Sequence, residues 1–146
     1  MHQLLLILHL LAVTIWVGGH LILALRFLPK ALREKNPLII SDFEKQYEAI
    51  GIPALLILVI TGVLLAYQYD VPLNKWFSFS NSIENVISTK LLLLFTTLCL
   101  AIHARFFIIP KLSKENLNQL ALHIYAVTTI AIAMLVLGTF VRVGGI

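Results

Sequence analysis

The chain has 146 residues, of which 60% are hydrophobic and only 12% are charged, and its mean hydropathy is +0.95. These values exclude an ordinary soluble domain, in which about a quarter of the residues are charged. The net charge of +4 comes from basic residues that lie mainly at the ends of apolar segments, which indicates membrane topology and not nucleic-acid binding. We therefore expect an integral membrane protein whose main partner is the lipid bilayer.

Four apolar segments are long enough to cross a hydrocarbon core, which takes about 20 helical residues. Their predicted bounds are Leu4–Arg26, Ala49–Tyr69, Ser88–Ile109 and Leu120–Val141. The first segment has no basic residue ahead of it and no small-residue cleavage site behind it, so we interpret it as a transmembrane helix and not as a signal peptide. The sequence predicts one all-α domain over residues 1–146, an integral membrane four-helix bundle.

The distribution of basic residues predicts the orientation of this bundle. The side that holds the first and third connections carries eight Lys and Arg residues, and the opposite side carries three. By the positive-inside rule, the first group lies in the cytoplasm and both termini lie outside. The eight residues are Arg26, Lys30, Arg33, Lys35, Lys45, Arg105, Lys111 and Lys114, and the three are Lys75, Lys90 and Arg142.

The start of the second helix has a recognisable signal. Ser41 and Glu44 have the spacing of a capping box, in which each side chain binds the other residue's free backbone N–H. This spacing predicts that the helix begins near Ser41, ahead of the membrane, and then continues into the second span.

Four histidines lie within the predicted spans: His9, His20, His103 and His123. An ionisable side chain at membrane depth costs about 2 to 3 kcal/mol or more, so it usually faces the bundle interior and marks a site. His20 and His103 are each six residues from the cytoplasmic end of their span, and His123 is three residues into the last span from the same side. These three histidines are therefore predicted to approach one layer of the bundle, with His9 in the outer half.

The first span presents a polar stripe on one face. His9 and His20 are eleven residues apart, which returns a helical side chain to within about 20° of the same direction. Trp16 lies four residues before His20 and joins this stripe, while Gly18 and Gly19 beside it allow close approach of a helix or a flat ligand. We predict that the stripe faces inward.

The remaining spans add further candidate ligands. Cys99 lies four residues before His103 on the same helix face, and Met134 shares the face of His123. Lys90 is about level with His9, so the pair forms a second, outer candidate site. Alternative interpretations are that single histidines act only as interhelical hydrogen-bond partners, that Lys90 extends to the headgroups, and that Cys99 is a packing residue.

The chain resembles the copper-resistance D (CopD) family of membrane domains over nearly its whole length. The similar stretches include Lys90-Leu-Leu-Leu-Leu, followed by Arg105-Phe-Phe and Pro110-Lys-Leu, and the opening His9-Leu-Leu-Ala with Trp16-Val-Gly-Gly. Thr61-Gly62-Val-Leu-Leu in the second span is similar as well. This resemblance implies a multi-pass protein of a bacterial-type inner membrane that takes up or handles copper.

A second resemblance is to the HemJ-type protoporphyrinogen oxidases, which are also small helical membrane proteins. It is carried by His9 with Trp16, by Pro53-Ala with Gly62, and by Lys90 followed by His103. This likeness implies a porphyrin between the helices, with HemJ-like porphyrinogen oxidation as one activity, although the chain lacks an Asn-Glu-x-Pro element before its last span.

Two functional hypotheses therefore stay open. In the copper hypothesis the ligands are His20, His103, His123 and Cys99, because imidazole and sulfur donors suit copper. In the alternative, haem b is held by His20 and His103, and the protein either carries electrons to or from a donor or acceptor that the sequence does not identify or oxidises a porphyrinogen as the HemJ likeness implies. The candidate cofactor-binding set is then His20, His103, His9, Trp16, Lys90 and Arg105.

Other classes receive less support. No nucleophile with a paired base lies in the spans, so hydrolysis is not indicated, and an enzyme of this kind would be a cofactor-dependent oxidoreductase. A purely structural subunit ranks last because several histidines coincide in depth. The single cysteine excludes an intramolecular disulfide, and the formation of a homo-oligomer is compatible with the sequence.

Overall fold

A computed structural model describes all residues, Met1 to Ile146. The chain is entirely helical, and four helical segments are long and apolar enough to cross a membrane. The predicted fold class, an all-α membrane protein with four spans, is therefore confirmed. The placement of both termini on the outer side stays a prediction.

The first span is α1, His2–Ile22, which continues through a π-helical turn, Leu23–Phe27, into α2, Leu28–Glu34. The second span is α3, Leu38–Gln68, and the third is α4, Ser82–His103. A π-helical turn, Ala104–Ile108, and a 3₁₀ turn, Ile109–Lys111, follow α4. The fourth span is α5, Leu117–Val141.

The prediction of a capping box at the start of α3 is wrong. The helix begins at Leu38, three residues earlier, and neither Ser41 nor Glu44 caps it. The side-chain oxygen of Asn36 accepts a hydrogen bond from the Leu38 backbone N–H at 3.1 Å. The Asn36 side chain therefore satisfies one of the free N–H groups at the start of the helix. Ser41 lies inside the first turns of the helix, where it cannot act as the cap.

We call the end of the bundle that carries residues 26–45 and 104–116 the basic end, and the opposite one the terminal end. The largest apolar cluster lies at the basic end, where α2, the start of α3 and the start of α5 meet. Leu28, Ile40, Ile108 and Leu120 are almost completely buried there. This packing fixes the connections between the spans.

The spans pack unequally around the bundle. α1 packs along α3 and also against α5, while α4 packs mainly against α5. α3 and α4 make little direct contact with each other. A cleft therefore lies between α3 and α4, with α1 and α5 behind it.

The two π-helical turns occupy corresponding places, one directly after α1 and the other directly after α4. One comes directly before Leu28-Pro29-Lys30 and the other directly before Ile109-Pro110-Lys111. Proline has no backbone N–H, so it cannot complete the regular hydrogen-bond ladder of the turn before it. The turns place Arg26 and Arg105 at the basic end of α1 and α4.

Candidate functional site

The cleft between α3 and α4 has a volume of about 330 Å³ and is lined mainly by apolar side chains. All four spans contribute to its walls, and it lies toward the basic end. Its polar and aromatic lining residues are Trp16, His20, Glu44, Tyr47, Glu48, Arg105 and His123. The cleft therefore gathers into one place a subset of the predicted site residues and three residues of α3 that were not predicted as site residues.

His20 is held in a defined orientation within this cleft. Its Nδ1 lies 2.8 Å from the carbonyl oxygen of Trp16, to which it donates. The imidazole packs against the Trp16 ring at 4.4 Å and meets the edge of the Tyr47 ring at 6.0 Å. Because Nδ1 carries the proton in this arrangement, the lone pair of neutral His20 is on Nε2 and is free to bind a metal.

Tyr47 joins α3 to α1 behind His20. Its hydroxyl donates to the carbonyl oxygens of Ile15 at 3.0 Å and Trp16 at 3.3 Å. The ring lies directly against the backbone of Gly19, where a Cβ atom would collide with it, and against Gly51 on its own helix. The predicted role in close approach is therefore confirmed for Gly19, where the approaching group is an aromatic side chain, and is wrong for Gly18, where an added Cβ atom meets nothing within 4 Å.

Two acidic residues of α3 lie at the basic end of the cleft. Glu48 forms an ion pair with Arg105, whose guanidinium is 3.0 Å away and thus bridges the cleft from the α4 side. Glu44, one turn earlier, lines the same cleft and has no ion-pair partner. Neither was predicted as a site residue, because Glu44 was interpreted as a helix cap and Glu48 lies just before the predicted second span. The available signal was their spacing of four residues, which places both carboxylates on one face of the helix, close to its entry into the membrane.

His103 and His123 form a pair of their own. His103 Nδ1 lies 3.0 Å from His123 Nε2, and the two rings are nearly parallel. His123 Nδ1 lies 3.0 Å from the carbonyl oxygen of Gln119 and donates to it. In neutral His123 the Nε2 atom is therefore the acceptor and His103 Nδ1–H the donor, which leaves the lone pair of His103 on Nε2.

The inner group of histidines is thus divided in the structure. His20 and His123 line the cleft, whereas His103 and Cys99 are exposed on the surface of α4 and do not line it. No hydrogen bond or ring contact joins His20 to His103. A common ligand set of His20 and His103 stays a prediction, and the partner that the structure gives to His103 is His123.

The outer candidate site lies apart from the cleft. His9 Nδ1 is 2.8 Å from the Thr61 hydroxyl oxygen, which itself donates to the Ile57 carbonyl, so His9 is the donor. Lys90 points toward Gly138 of α5, where its Nζ would be 3.5 Å from an added Cβ atom. The inward face predicted for His9, Trp16 and His20 is confirmed, because Trp16 is buried and both histidines are partly buried.

No three His, Cys, Asp or Glu side chains of this chain converge closely enough to enclose a metal ion by themselves. Met134, which shares the face of His123, is partly buried in α5 and outside the cleft lining. What the cleft offers is one oriented imidazole on α1, one unpaired carboxylate on α3 and a second histidine on α5.

The fold and this cleft define a multi-pass helical membrane protein with a polar site between its spans. The family model described as Copper resistance protein D matches residues 41–142, more than two thirds of the chain. The chain therefore belongs to the CopD family of copper-resistance membrane proteins. The matched region contains α4 and α5 completely and all but the first turn of α3, while α1 lies before it. No curated protein and no solved structure matches the chain.

Proposed function

We propose that this CopD-family protein binds copper in the cleft between α3 and α4 and serves copper uptake or homeostasis in a bacterial-type inner membrane. The observation that carries the proposal is the fixed orientation of His20. Its Nδ1–H donates to the Trp16 carbonyl, and Nε2 is left as a free donor atom on the wall of the cleft. Metal-binding histidines are commonly oriented by such a bond from the other ring nitrogen.

The surrounding residues fit copper with nitrogen and oxygen ligands. Imidazole binds copper well, and a carboxylate oxygen completes sites for the cupric ion. Glu44 supplies the carboxylate without losing an ion pair, since Arg105 is engaged by Glu48. His123 supplies a second imidazole when its Nε2 atom gives up the hydrogen bond from His103 and binds the metal instead.

The position of the site suggests its route of access. The cleft opens at the basic end beside the Glu48–Arg105 pair, and its remaining walls are mostly apolar. A cation that enters here meets the carboxylates first and the imidazole of His20 deeper in the cleft. Apolar walls exclude water and thereby strengthen the electrostatic interactions of the bound ion.

A copper titration of the purified full-length protein tests this proposal. We expect His20→Ala to weaken copper binding by at least about tenfold, because the oriented donor is lost. The matched control is His2→Ala, which removes an exposed histidine at the terminal end that contacts Gln68. Equal copper affinity in the wild type and His20→Ala would overturn the proposal.

A haem in the same cleft is the second candidate. It is favoured by the open, mostly apolar cleft and by Arg105 at its basic end, where a guanidinium suits a propionate. His20 of α1 would be one ligand of the iron, and α5 offers His123 as another. An optical spectrum of the purified protein separates the candidates, since a Soret band that is lost in His20→Ala selects haem, and stoichiometric copper without that band selects copper.

A further inference from the structure

Two polar atoms between the spans have no hydrogen-bond partner within the chain, the indole nitrogen Nε1 of Trp16 and the hydroxyl oxygen Oγ1 of Thr97. The two residues are only 8% and 1% exposed, so neither lipid nor bulk water reaches these atoms. Buried polar groups of native proteins are nearly always hydrogen-bonded, either to protein or to ordered water. Two groups without a protein partner therefore indicate a small polar molecule that binds between the helices.

Both atoms lie at the same level of the bundle. Trp16 of α1 packs against Ala131 of α5. α4 runs antiparallel to α5, and two contacts fix their register, the histidine pair described above and the approach of Lys90 Nζ to Gly138. Thr97 lies midway between these contacts along α4, and Ala131 lies midway between them along α5. Thr97 is therefore level with Ala131 and Trp16, and we call these three residues the middle layer.

The middle layer continues the cleft toward the terminal end. Trp16 lines the cleft one turn beyond His20. On α4, Ala101 and Ala104 line the cleft, and Thr97 is four and seven residues away from them, which places it on the same helix face. A molecule bound in the middle layer is therefore next to the site of His20, on its terminal side.

Lys90 and His9 lie one step farther toward the terminal end. Lys90 is seven residues from Thr97 on the same face of α4, and its ammonium group has no ion-pair partner. His9 Nδ1–H donates to Thr61, so the lone pair of the neutral ring is on Nε2. Lys90 is close enough for its charge to act on His9. Ionisable groups at this depth commonly belong to proton relays.

The neighbouring helices supply no counter-ion for Lys90. Residues 49–66 of α3 and 126–141 of α5 contain no titratable side chain. Glu84, the nearest acid on α4, is bound by the loop that precedes the helix. The proton of Lys90 is thus not held by a carboxylate, and the group that can take it is Nε2 of His9.

We propose that this protein transfers protons through its interior, between the terminal end and the cleft. Lys90 and His9 exchange the proton in the outer half of the bundle. Water held by Trp16 and Thr97 carries it through the middle layer to Nε2 of His20. Each step breaks one N–H or O–H bond and forms another, and no electron is transferred.

The groups of the middle layer suit this role. The indole of Trp16 donates to the water oxygen and keeps its own proton, whereas the Thr97 hydroxyl both accepts and donates. With a rise of about 1.5 Å per residue, His9 and Trp16 are about 10 Å apart along α1, and Trp16 and His20 about 6 Å. A hydrogen bond spans about 2.8 Å, so about one to three water molecules complete each step.

The last step rests on the proposed function, because His20 Nε2 has one lone pair and binds either the proton or copper. A proton that arrives from the terminal end then releases copper toward the basic end, and copper that binds displaces the proton. Proton transfer itself is measured without copper. A failed copper titration would remove this coupling, whereas the proton path stands or falls by its own measurement.

Proton transfer is tested with the full-length protein in liposomes that contain a pH-sensitive dye, with a potassium gradient and valinomycin as the driving force. We expect the internal pH of these liposomes to change faster than that of protein-free liposomes. Thr97→Val removes the hydroxyl at nearly constant volume and should lower the rate about tenfold, because a hydrogen bond that holds the water is lost. The matched control is Thr96→Val, whose exposed hydroxyl donates to Leu92 of its own helix, and it should keep the wild-type rate.

A second pair of variants tests the outer half. Lys90→Met should reduce the rate to that of protein-free liposomes, and Lys75→Met, in the loop before α4, should keep the wild-type rate. Thr97→Val removes a buried polar group without a partner, so its midpoint of unfolding in detergent should not fall, and a lower rate is then not caused by loss of the fold. Equal rates in Thr97→Val and the wild type, or a wild-type rate equal to that of protein-free liposomes, would overturn the proposal.

Discussion

Contacts between single residues determine how close α1 and α3 come beside the cleft. The Tyr47 ring occupies the space that a side chain at residue 19 would fill, and its hydroxyl donates to two carbonyls of α1. One of these carbonyls, that of Trp16, also accepts from His20. The position of Tyr47 and the orientation of His20 are therefore connected through the same backbone group.

A substitution at Gly19 tests this arrangement. Gly19→Ala places a Cβ atom within the Tyr47 ring, and overpacking of this kind costs about 1 to 3 kcal/mol. We expect a lower midpoint of thermal unfolding in detergent and weaker copper binding. The control is Gly18→Ala, because a Cβ atom there meets nothing within 4 Å. Equal destabilisation by both variants would show that the contact with Tyr47 does not matter.

For single residues, the sequence predicts depth in the membrane better than the direction in which a side chain points. Helical rise placed His20, His103 and His123 at similar levels, and the inward face of α1 was predicted correctly. The outward direction of Cys99 and His103 was not predicted, because angles along one helix relate its residues only to each other. Which face meets a neighbour depends on the packing of α4 against α5, and this follows from tertiary contacts.

At the level of the helices, the ion pair between Glu48 and Arg105 connects α3 to α4. The two side chains are 38% and 56% exposed, so solvent screens their attraction. Exposed pairs of this kind contribute about 0.2 to 1 kcal/mol. The pair therefore stabilises the basic end of the cleft only weakly, which is compatible with passage of a cation beside it.

A double-mutant cycle with Glu48→Gln and Arg105→Gln measures this contribution. We expect a coupling free energy below about 1 kcal/mol that decreases as salt is added. A parallel cycle with Glu48→Gln and Arg33→Gln should give no coupling, since Arg33 is exposed and forms no ion pair. Coupling of several kcal/mol between Glu48 and Arg105 would instead indicate a pair shielded from solvent and a cleft that is sealed at this end.

Apart from the start of α3, which was predicted near Ser41, the extent of each element was predicted in its apolar part only. Hydropathy located all four spans, but the helices continue beyond them, for example through α2 to Glu34 instead of Arg26. The amphipathic turns outside the hydrocarbon region stabilise the helix by packing in the cluster at the basic end, which hydropathy does not register. The π-helical turns before Pro29 and Pro110 were likewise not predicted, since proline weakens a turn without specifying the geometry that replaces it.

For the whole molecule, the orientation in the membrane is an untested prediction with a direct consequence. Eight basic residues against three place the basic end, and with it the mouth of the cleft, in the cytoplasm. The α3/α4 site would then exchange copper with the cytoplasmic side. The termini and the loop between α3 and α4 would face outward.

Labelling of cysteines in a Cys99→Ser background tests the orientation. We expect Asn74→Cys to react with a membrane-impermeant maleimide in intact bacterial spheroplasts and Glu115→Cys to react only after lysis. Both residues are exposed in the structure, so burial does not limit either reaction. The reverse pattern would place the mouth of the cleft on the outer side.

The central claim is that copper is bound through the free nitrogen of His20, and pulsed electron paramagnetic resonance of the Cu(II)-loaded protein tests it most directly. The remote nitrogen of a coordinated imidazole modulates the echo of the copper signal. We predict that the wild type and His2→Ala show this modulation and that His20→Ala loses the contribution of one imidazole. An unchanged modulation in His20→Ala, or no imidazole modulation in the wild type, would contradict the account.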